Sequence, residues 1–202
     1  MDARAWDERY EERELVWSAE PNVFVAREVA GLPPGRALDL AAGEGRNAIW
    51  LAEQGYDVEA VEFSPVAIDK GRAIAARRGV RVRWTLADLT DTPALVPAVL
   101  VVLAYLQLPR EQLASIHRWA AGLVAPGGTL LVVAHARANL ERGVGGPPDP
   151  ALCPTVDEVL ADLDGSGLLV QASAEVDREV VTDQGPRVAV DVLVRAHRPA
   201  GY

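Results

Sequence analysis

The sequence predicts an α/β domain in which helices cover both faces of a mostly parallel sheet. Short apolar runs alternate along the chain with segments of helical periodicity, which is the order of a sheet built from strand–helix–strand units. Residues 99–104 are apolar on both faces, as a buried parallel strand requires. Near the C-terminus, Val188, Val190, Val192 and Val194 alternate with polar or small residues, which predicts one strand of an antiparallel hairpin.

The predicted strands and helices follow one another in a regular order. Apolar runs bounded by turn residues predict five strands, at 36–41, 58–63, 80–86, 99–104 and 129–134. Helical spacing, capping residues and terminal glycines predict five helices, from Pro21 to Gly31, over 47–54, from Ser64 to Gly79, over 110–124 with Pro126-Gly127-Gly128 closing it, and from a capping box at Thr155. The segments 168–181 and 187–195 flank the turn 182–186 and complete the predicted hairpin.

Composition and charge exclude several classes of protein. The chain has 202 residues, 50% of them apolar, so it is long enough to bury the core of one domain and is not disordered over most of its length. The chain has 29 acidic and 20 basic side chains, and this excess of negative charge argues against sequence-independent binding of nucleic acid. No secretory signal or membrane-spanning run is found, and the single Cys153 excludes an intrachain disulfide and a multi-cysteine metal site. We therefore expect a cytoplasmic protein with no metal and no nucleic-acid or membrane partner.

The segment from Asp39 to Ala48 is the most informative part of the chain. Gly43-x-Gly45-x-x-Ala48 lies where the first strand turns into a helix, and Glu62 ends the next strand, where an acid can hold a ribose. Two cofactors fit this pattern, a dinucleotide and S-adenosylmethionine. Asp39 separates them, because a carboxylate repels a pyrophosphate but attracts an ammonium or a sulfonium. Opposite charges about 4 Å apart gain roughly 4 kcal/mol at an effective dielectric constant near 20, before desolvation.

With these residues the chain resembles the class I S-adenosylmethionine-dependent methyltransferases over nearly its whole length. It is similar in particular to a small bacterial branch near the tellurite-resistance and thiopurine-type methyltransferases, through Trp6-Asp7-Glu8-Arg9-Tyr10, Trp17, Pro21-Asn22 and the segment 43–48. The resemblance implies a Rossmann-like, doubly wound, seven-stranded sheet whose last strand is antiparallel. It divides a single domain, 1–202, into a helical cap or lid (1–32), a cofactor-binding core (33–135) and a variable part with a loop, a short helix and the hairpin (136–202).

The resemblance also implies which residues hold S-adenosylmethionine. Glu62 matches the acid that binds both ribose hydroxyls, although aspartate is commoner there. Asp88 falls where the family binds the adenine amino group, and the Leu89 amide falls where it binds a ring nitrogen. The cofactor-binding candidates are Asp39, Ala41, Gly43, Gly45, Arg46, Asn47, Glu62, Phe63, Ser64, Ala87, Asp88, Leu89 and Trp17. Trp17, with Trp6 and Tyr10, either forms a lid over the site or packs on the outside.

Tyr105 and His135 are the candidate catalytic residues. They follow the fourth and fifth strands, and open parallel sheets bind ligands beyond the carboxyl ends of their strands. His135 is either a general base or acceptor contact, or a structural histidine, and Tyr105 is either an acceptor contact or a wall of the pocket. His117, in the middle of a helix, is expected on an exposed face. The segment 104–109 lacks the motif of base-amino DNA methyltransferases, which favours a small-molecule acceptor.

The sequence thus predicts a methyltransferase that acts by in-line displacement on a small molecule. Because most of the catalysis can come from holding the acceptor in line with the methyl carbon, the nucleophile stays open among sulfur, selenium or tellurium, oxygen and nitrogen. The alternatives are an NAD(P)-dependent oxidoreductase and a non-catalytic S-adenosylmethionine-binding module. Monomer and homodimer are both left open.

Overall fold

A seven-stranded sheet organises the chain. The computed structural model describes residues 6–7, 10–11 and 20–201. The sheet has the order β3-β2-β1-β4-β5-β7-β6, with parallel pairing from β3 to β5 and antiparallel pairing of β7 to both of its neighbours. This confirms the predicted doubly wound, mostly parallel sheet with an antiparallel C-terminal strand. The strands are β1 Arg36–Leu40, β2 Asp57–Glu62, β3 Arg83–Leu86, β4 Ala98–Ala104, β5 Val124–His135, β6 Leu169–Thr182 and β7 Gly185–His197.

From residue 20 onward, six α-helices connect or flank the strands, and capping residues set several of their ends. The Asn22 side chain accepts hydrogen bonds at the start of the first helix, Ser64 caps the third, and the Thr155 capping box opens the last. Gly79, in a left-handed conformation, ends the third. The helices are α1 Val23–Val29, α2 Arg46–Glu53, α3 Pro65–Arg78, α4 Arg110–Gly122, α5 Asn139–Arg142 and α6 Val156–Leu163. None of the helices in the described part of the chain is long and apolar enough to cross a membrane.

The apolar core lies on both faces of the sheet. On one face, α4 and α6 pack against β-strand residues such as Leu38 and Leu103. On the other, α1 and α2 pack against residues such as Leu100 and Val102. Consecutive residues of β4 therefore enter opposite layers, which explains why this strand is apolar at every position.

Three local expectations were wrong. β3 begins at Arg83 instead of residue 80, because the Val80 amide still donates to the Ala75 carbonyl at the end of the preceding helix. β5 begins at Val124 instead of residue 129, because a bulge in the β4–β5 pairing between Ala98 and Leu100 absorbs Pro126-Gly127-Gly128 within the strand. His117 is not on an exposed face: it is 1% exposed, and its Nδ1 lies 2.8 Å from Oδ2 of Asp162 on α6. The aspartate satisfies the ring, so the histidine lies buried between the two helices.

Candidate active site

A cavity of about 310 Å³ opens at the carboxyl ends of β1, β2, β3 and β4. Parallel sheets bind ligands at this edge, next to the point where the strand order reverses between β1 and β4. Ten of the residues predicted from the sequence line it, namely Ala41, Gly43, Arg46, Asn47, Glu62, Phe63, Ala87, Asp88, Leu89 and Tyr105. Trp6 and Tyr10 of the N-terminal segment also line it.

Four predicted residues do not line the cavity, and one cannot be placed. Asp39, Gly45, Ser64 and His135 lie outside its lining. Trp17 lies outside the described residues. The four placed residues lie close to the cavity, each in a different part of the fold.

The turn after β1 reverses sharply at the floor of the cavity. Ala41, Gly43 and Gly45 have φ angles of 58°, 57° and 79°, in the left-handed region that a residue with a side chain rarely adopts. Glu62 fixes this turn, because its Oε2 accepts a hydrogen bond of 2.8 Å from the Gly43 amide and its Oε1 accepts one of 2.9 Å from the Ser64 amide. Burial raises the pKa of Glu62, while these two amides oppose the shift.

Gly45 serves the packing behind the turn. A Cβ atom at Gly45 would lie 2.3 Å from Cη2 of Trp84, and one at Gly71 of α3 would lie 2.2 Å from the same atom. The indole of Trp84 therefore fills a slot between these two glycines. Gly45 is needed for this contact and for its positive φ, while Gly43 faces the cavity.

Asp39 lies beneath the turn, with its side chain fully buried. Neither carboxylate oxygen has a hydrogen-bond partner. Burial raises the pKa of Asp39 from 3.8 to about 7, against opposing effects of the Ala48 amide and the Arg46 guanidinium. Arg46 lines the cavity, so this carboxylate is electrostatically linked to the site without touching it.

Ser64 and Asp88 hold the ends of the neighbouring strands. The Ser64 hydroxyl accepts a hydrogen bond from the Ala67 amide and donates one to Asp7 of the N-terminal segment. Asp88 accepts hydrogen bonds from the amide and hydroxyl of Thr90 through Oδ1 alone, at 2.8 and 2.7 Å. Its Oδ2 is therefore available to a ligand in the cavity.

A buried polar cluster stands beside the cavity, around Asp191 of β7. The Tyr105 hydroxyl donates to Oδ2 of Asp191 at 2.6 Å and accepts from Asn22 at 2.9 Å. Nε of Arg178 donates to the same Oδ2 at 2.7 Å, and Nδ1 of His135 lies 3.2 Å from Oδ1. The structure thus brings both predicted catalytic residues together on one carboxylate.

Charge and backbone conformation single out this cluster. Asp191 is fully buried, and although burial opposes its ionisation, the contacts with His135, Arg178 and Tyr105 hold its pKa below the usual range. Burial, and then the Asp191 charge, raise the pKa of the Tyr105 hydroxyl, which keeps its proton on the donating side. Tyr105 also has a φ of 59°, and strained residues of this kind collect at functional sites.

The sequence analysis missed Asp191, Arg178 and Asn22. Asp191 had a signal, since it is a carboxylate between two valines in a strand that is buried over 189–194. No sequence signal of burial marked Arg178, because its neighbours Asp177 and Glu179 are charged and the segment has the composition of an exposed edge strand. Asn22 was noted at a helix start and within the family resemblance, but its hydrogen bond to Tyr105 spans 83 residues and had no local signal.

A family model described as a methyltransferase domain matches residues 37–128, from β1 into β5. The match contains the glycine turn, Glu62 and Asp88, which together line the cavity. Residues 37–128 are thus a methyltransferase domain, and the match supports the class I, S-adenosylmethionine-dependent methyltransferases as its family. The resemblance seen in the sequence is thereby confirmed.

Solved structures share the fold of this methyltransferase domain. A structure described for the conversion of a disulfide bond into a thioacetal group during echinomycin biosynthesis has a TM-score of 0.79 and 22% identity, and the match covers 99% of this chain and 93% of that one. TehB from Haemophilus influenzae has a TM-score of 0.73 and 19% identity, with 88% and 62% covered, and it agrees with the tellurite-type comparison. Further structures with this fold contain S-adenosylmethionine or S-adenosylhomocysteine.

Among curated proteins, 2-heptyl-1-hydroxyquinolin-4(1H)-one methyltransferase of Mycobacteroides abscessus is 25% identical over 131 residues, which cover 63% of this chain and 57% of that protein. The chain spans between 15% and 57% of the length of the four curated relatives that it matches.

Proposed function

We propose that this protein is a cytoplasmic methyltransferase that moves the methyl group of S-adenosylmethionine to a small-molecule acceptor. The observation that supports this most is the cavity at the ends of β1 to β4, where the glycine turn, Glu62 and Asp88 line one space. Glu62 would hold the ribose hydroxyls, Asp88 the adenine amino group through its available Oδ2, and the Leu89 amide a ring nitrogen. Phe63 and Ala87 would contact the flat faces of the base.

The charges around the turn fit S-adenosylmethionine better than a dinucleotide. Asp39 and Glu62 are buried at the turn, and Arg46 is the only basic residue among those that line the described cavity. A pyrophosphate would meet a carboxylate beneath the turn with a single guanidinium to offset it. The amino acid part of S-adenosylmethionine carries one ammonium and one carboxylate. Their charges are complementary to those of Asp39 and Arg46, respectively.

The cofactor would supply an electrophilic methyl carbon, and the chain's own residues would do the rest. The turn and Arg46 would fix the cofactor's amino acid part, and the ring of Tyr105 would form the wall on the acceptor side. Trp6 and Tyr10 also line the cavity and would exclude water from it. Positioning of this kind can account for most of the rate in an in-line displacement.

Calorimetry with S-adenosylhomocysteine tests the cofactor site. We expect saturable binding to the wild-type protein and binding weakened about tenfold or more in Asp88→Asn, because the lost hydrogen bond involves a charged group. The asparagine oxygen can still accept from Thr90, so the local turn is retained. Asp91→Asn is the matched control, since Asp91 lies in the same 3₁₀ turn but not in the cavity lining. Equal binding by both variants would remove Asp88 from the site.

The same titration separates the alternatives. Saturable NADH binding without S-adenosylhomocysteine binding would establish the oxidoreductase. Tight S-adenosylhomocysteine binding without turnover on thiols, selenite, tellurite, phenols and amines would establish a binding module. The relative of Mycobacteroides abscessus is named for a hydroxyquinolone, which supports including hydroxylated aromatic rings in the acceptor panel.

A further inference from the structure

His135 and Arg178 are held side by side by one buried carboxylate. Oδ1 of Asp191 faces Nδ1 of His135 at 3.2 Å, and Oδ2 accepts from Nε of Arg178 at 2.7 Å. Nδ1 of His135 and Oδ1 of Asp191 are both buried and have no hydrogen-bond partner of good geometry, so each is the nearest polar group available to the other. The buried carboxylate favours the tautomer with the proton on Nδ1, which leaves the lone pair of the ring on Nε2.

The functional ends of both side chains remain open. Nε2 of His135 makes no hydrogen bond and is not among the solvent-inaccessible polar atoms. The two Nη atoms of Arg178 are not among those atoms either, and beyond Asp191 the guanidinium interacts only with Tyr105 among the hydrogen-bond partners of the described residues. The side chains are 10% and 22% exposed, so each is buried along its length and reaches solvent at its tip. A buried anchor and an accessible tip are the features of a preorganised binding group.

Tyr105 links the pair to the cavity, since neither His135 nor Arg178 lines it but both lie next to the Tyr105 ring. The ring of Tyr105 lines the cavity, and the ring of His135 lies 4.8 Å from it, centroid to centroid. The guanidinium carbons of Arg46 and Arg178 lie 5.7 and 5.5 Å from the Tyr105 ring centre. Behind His135, Gly146 approaches so closely that a Cβ atom there would lie 2.8 Å from Cγ of the imidazole. The imidazole thus has little freedom to turn away.

We propose that His135 and Arg178 form the acceptor subsite, and that the acceptor is a phenol- or enol-type hydroxyl whose proton is taken by Nε2 of His135 while Arg178 binds the developing oxyanion. This deepens the proposed function and rests on it. A lone pair and a guanidinium side by side suit a group that begins as O–H and becomes O⁻. A thiolate or selenide, already ionised, needs no base.

The reaction balances without a further reactant. The acceptor O–H proton goes to Nε2 of His135, and the oxygen's electron pair forms the new C–O bond. The electrons of the broken C–S bond stay with sulfur, which leaves as neutral S-adenosylhomocysteine. The imidazolium is stabilised by Asp191 and loses its proton to water after product release. The charged or titratable groups facing the imidazole are Asp191 from β7, Tyr105 after β4 and Arg178 from β6, with Arg46 of α2 across the Tyr105 ring.

Binding of p-nitrophenol tests the subsite without turnover. It is titrated at pH 6 into the protein saturated with S-adenosylhomocysteine, and the yellow phenolate is followed by absorbance. We expect saturable binding that increases the ionised fraction, about tenfold weaker affinity in Arg178→Gln, and unchanged affinity in Arg187→Gln. Arg187 is an exposed residue of the same hairpin and serves as the control. 4-Nitroanisole, which cannot ionise, should bind more weakly than p-nitrophenol.

Nitrogen-15 spectra of the imidazoles test the proton position. The chain has only three histidines, so His135 is assigned by comparison with His135→Gln. We expect the neutral ring to carry its proton on Nδ1. A proton on Nε2, or equal p-nitrophenol affinity in Arg178→Gln and Arg187→Gln, would overturn the subsite, as would S-adenosylhomocysteine binding with no p-nitrophenol binding. Absence of S-adenosylhomocysteine binding would refute the proposed function first, and the subsite with it.

Discussion

Replacing Asp39 by asparagine tests how the buried carboxylate affects the stability of the fold. The side chain is fully buried, and burial raises its pKa from 3.8 to about 7. A shift of about three units at about 1.36 kcal/mol each corresponds to roughly 4 kcal/mol against the ionised form. Ionised Asp39 should therefore destabilise the unliganded protein by this amount.

The sign of the pH dependence follows from the direction of the shift. Because the pKa is raised in the folded state, the native protein keeps a proton on Asp39 that the unfolded chain loses between about pH 4 and pH 7. The stability contribution of this proton is complete below about pH 4 and is lost as the pH rises through about 7. Between pH 5 and pH 8 the free energy of unfolding should fall by roughly 3 kcal/mol on account of Asp39.

Urea unfolding of wild type and Asp39→Asn, without cofactor, at pH 5 and pH 8 measures this loss. The difference in free energy of unfolding, variant minus wild type, should rise by roughly 3 kcal/mol from pH 5 to pH 8. The raised pKa of Glu62 acts in both proteins and largely cancels. Asp57→Asn, at the exposed start of β2, should show no such rise. Equal changes with pH in the free energies of unfolding of wild type and Asp39→Asn would refute the argument.

Two further substitutions test the packing around the site. Gly71→Ala places a methyl group 2.2 Å from Cη2 of Trp84, and thermal unfolding should show a loss of about 2 kcal/mol from overpacking. Gly122→Ala, with open space around it, should show no such loss. Asp162→Asn removes the charge that His117 and Arg110 contact, and urea unfolding should show a loss of about 2 kcal/mol.

Opposite results would correct specific assignments. A fully stable Gly71→Ala protein would mean that the indole can leave its slot between the two glycines. A fully stable Asp162→Asn protein would mean that the α4–α6 contact depends on apolar packing alone. Asp164→Asn, two residues further along the chain and exposed, is the control for the second case.

The order of strands and helices along the chain could be predicted because each signal was local. Apolar runs marked the strands, and capping residues marked the helix ends at Ser64, Gly79 and Thr155. The start of β5 could not be found, because Pro126-Gly127-Gly128 has the composition of a turn and only pairing with β4 keeps it in the sheet. The burial of His117 depends on Asp162, which lies 45 residues away in sequence.

The candidate site divided in the same way. Residues next to the glycine turn and at strand ends were predicted, since backbone geometry alone brings them to one edge of the sheet. The contacts of Asp191 with Tyr105 and of Arg178 with Asp191 were not predicted, because they are made by side chains of the hairpin. Their roles depend on three-dimensional contacts between segments more than seventy residues apart.

The β6–β7 hairpin lies outside the residues that match the family model. It joins the core through the ladder between β5 and β7, and it supplies Asp191 and Arg178 to the polar cluster. If the proposed function and acceptor subsite hold, the chain is modular: residues within the family match would bind the methyl donor, and the hairpin would contact the acceptor. Such modularity gives evolution, and an engineer, a single exchangeable ribbon through which acceptor preference can change while the donor pocket stays intact.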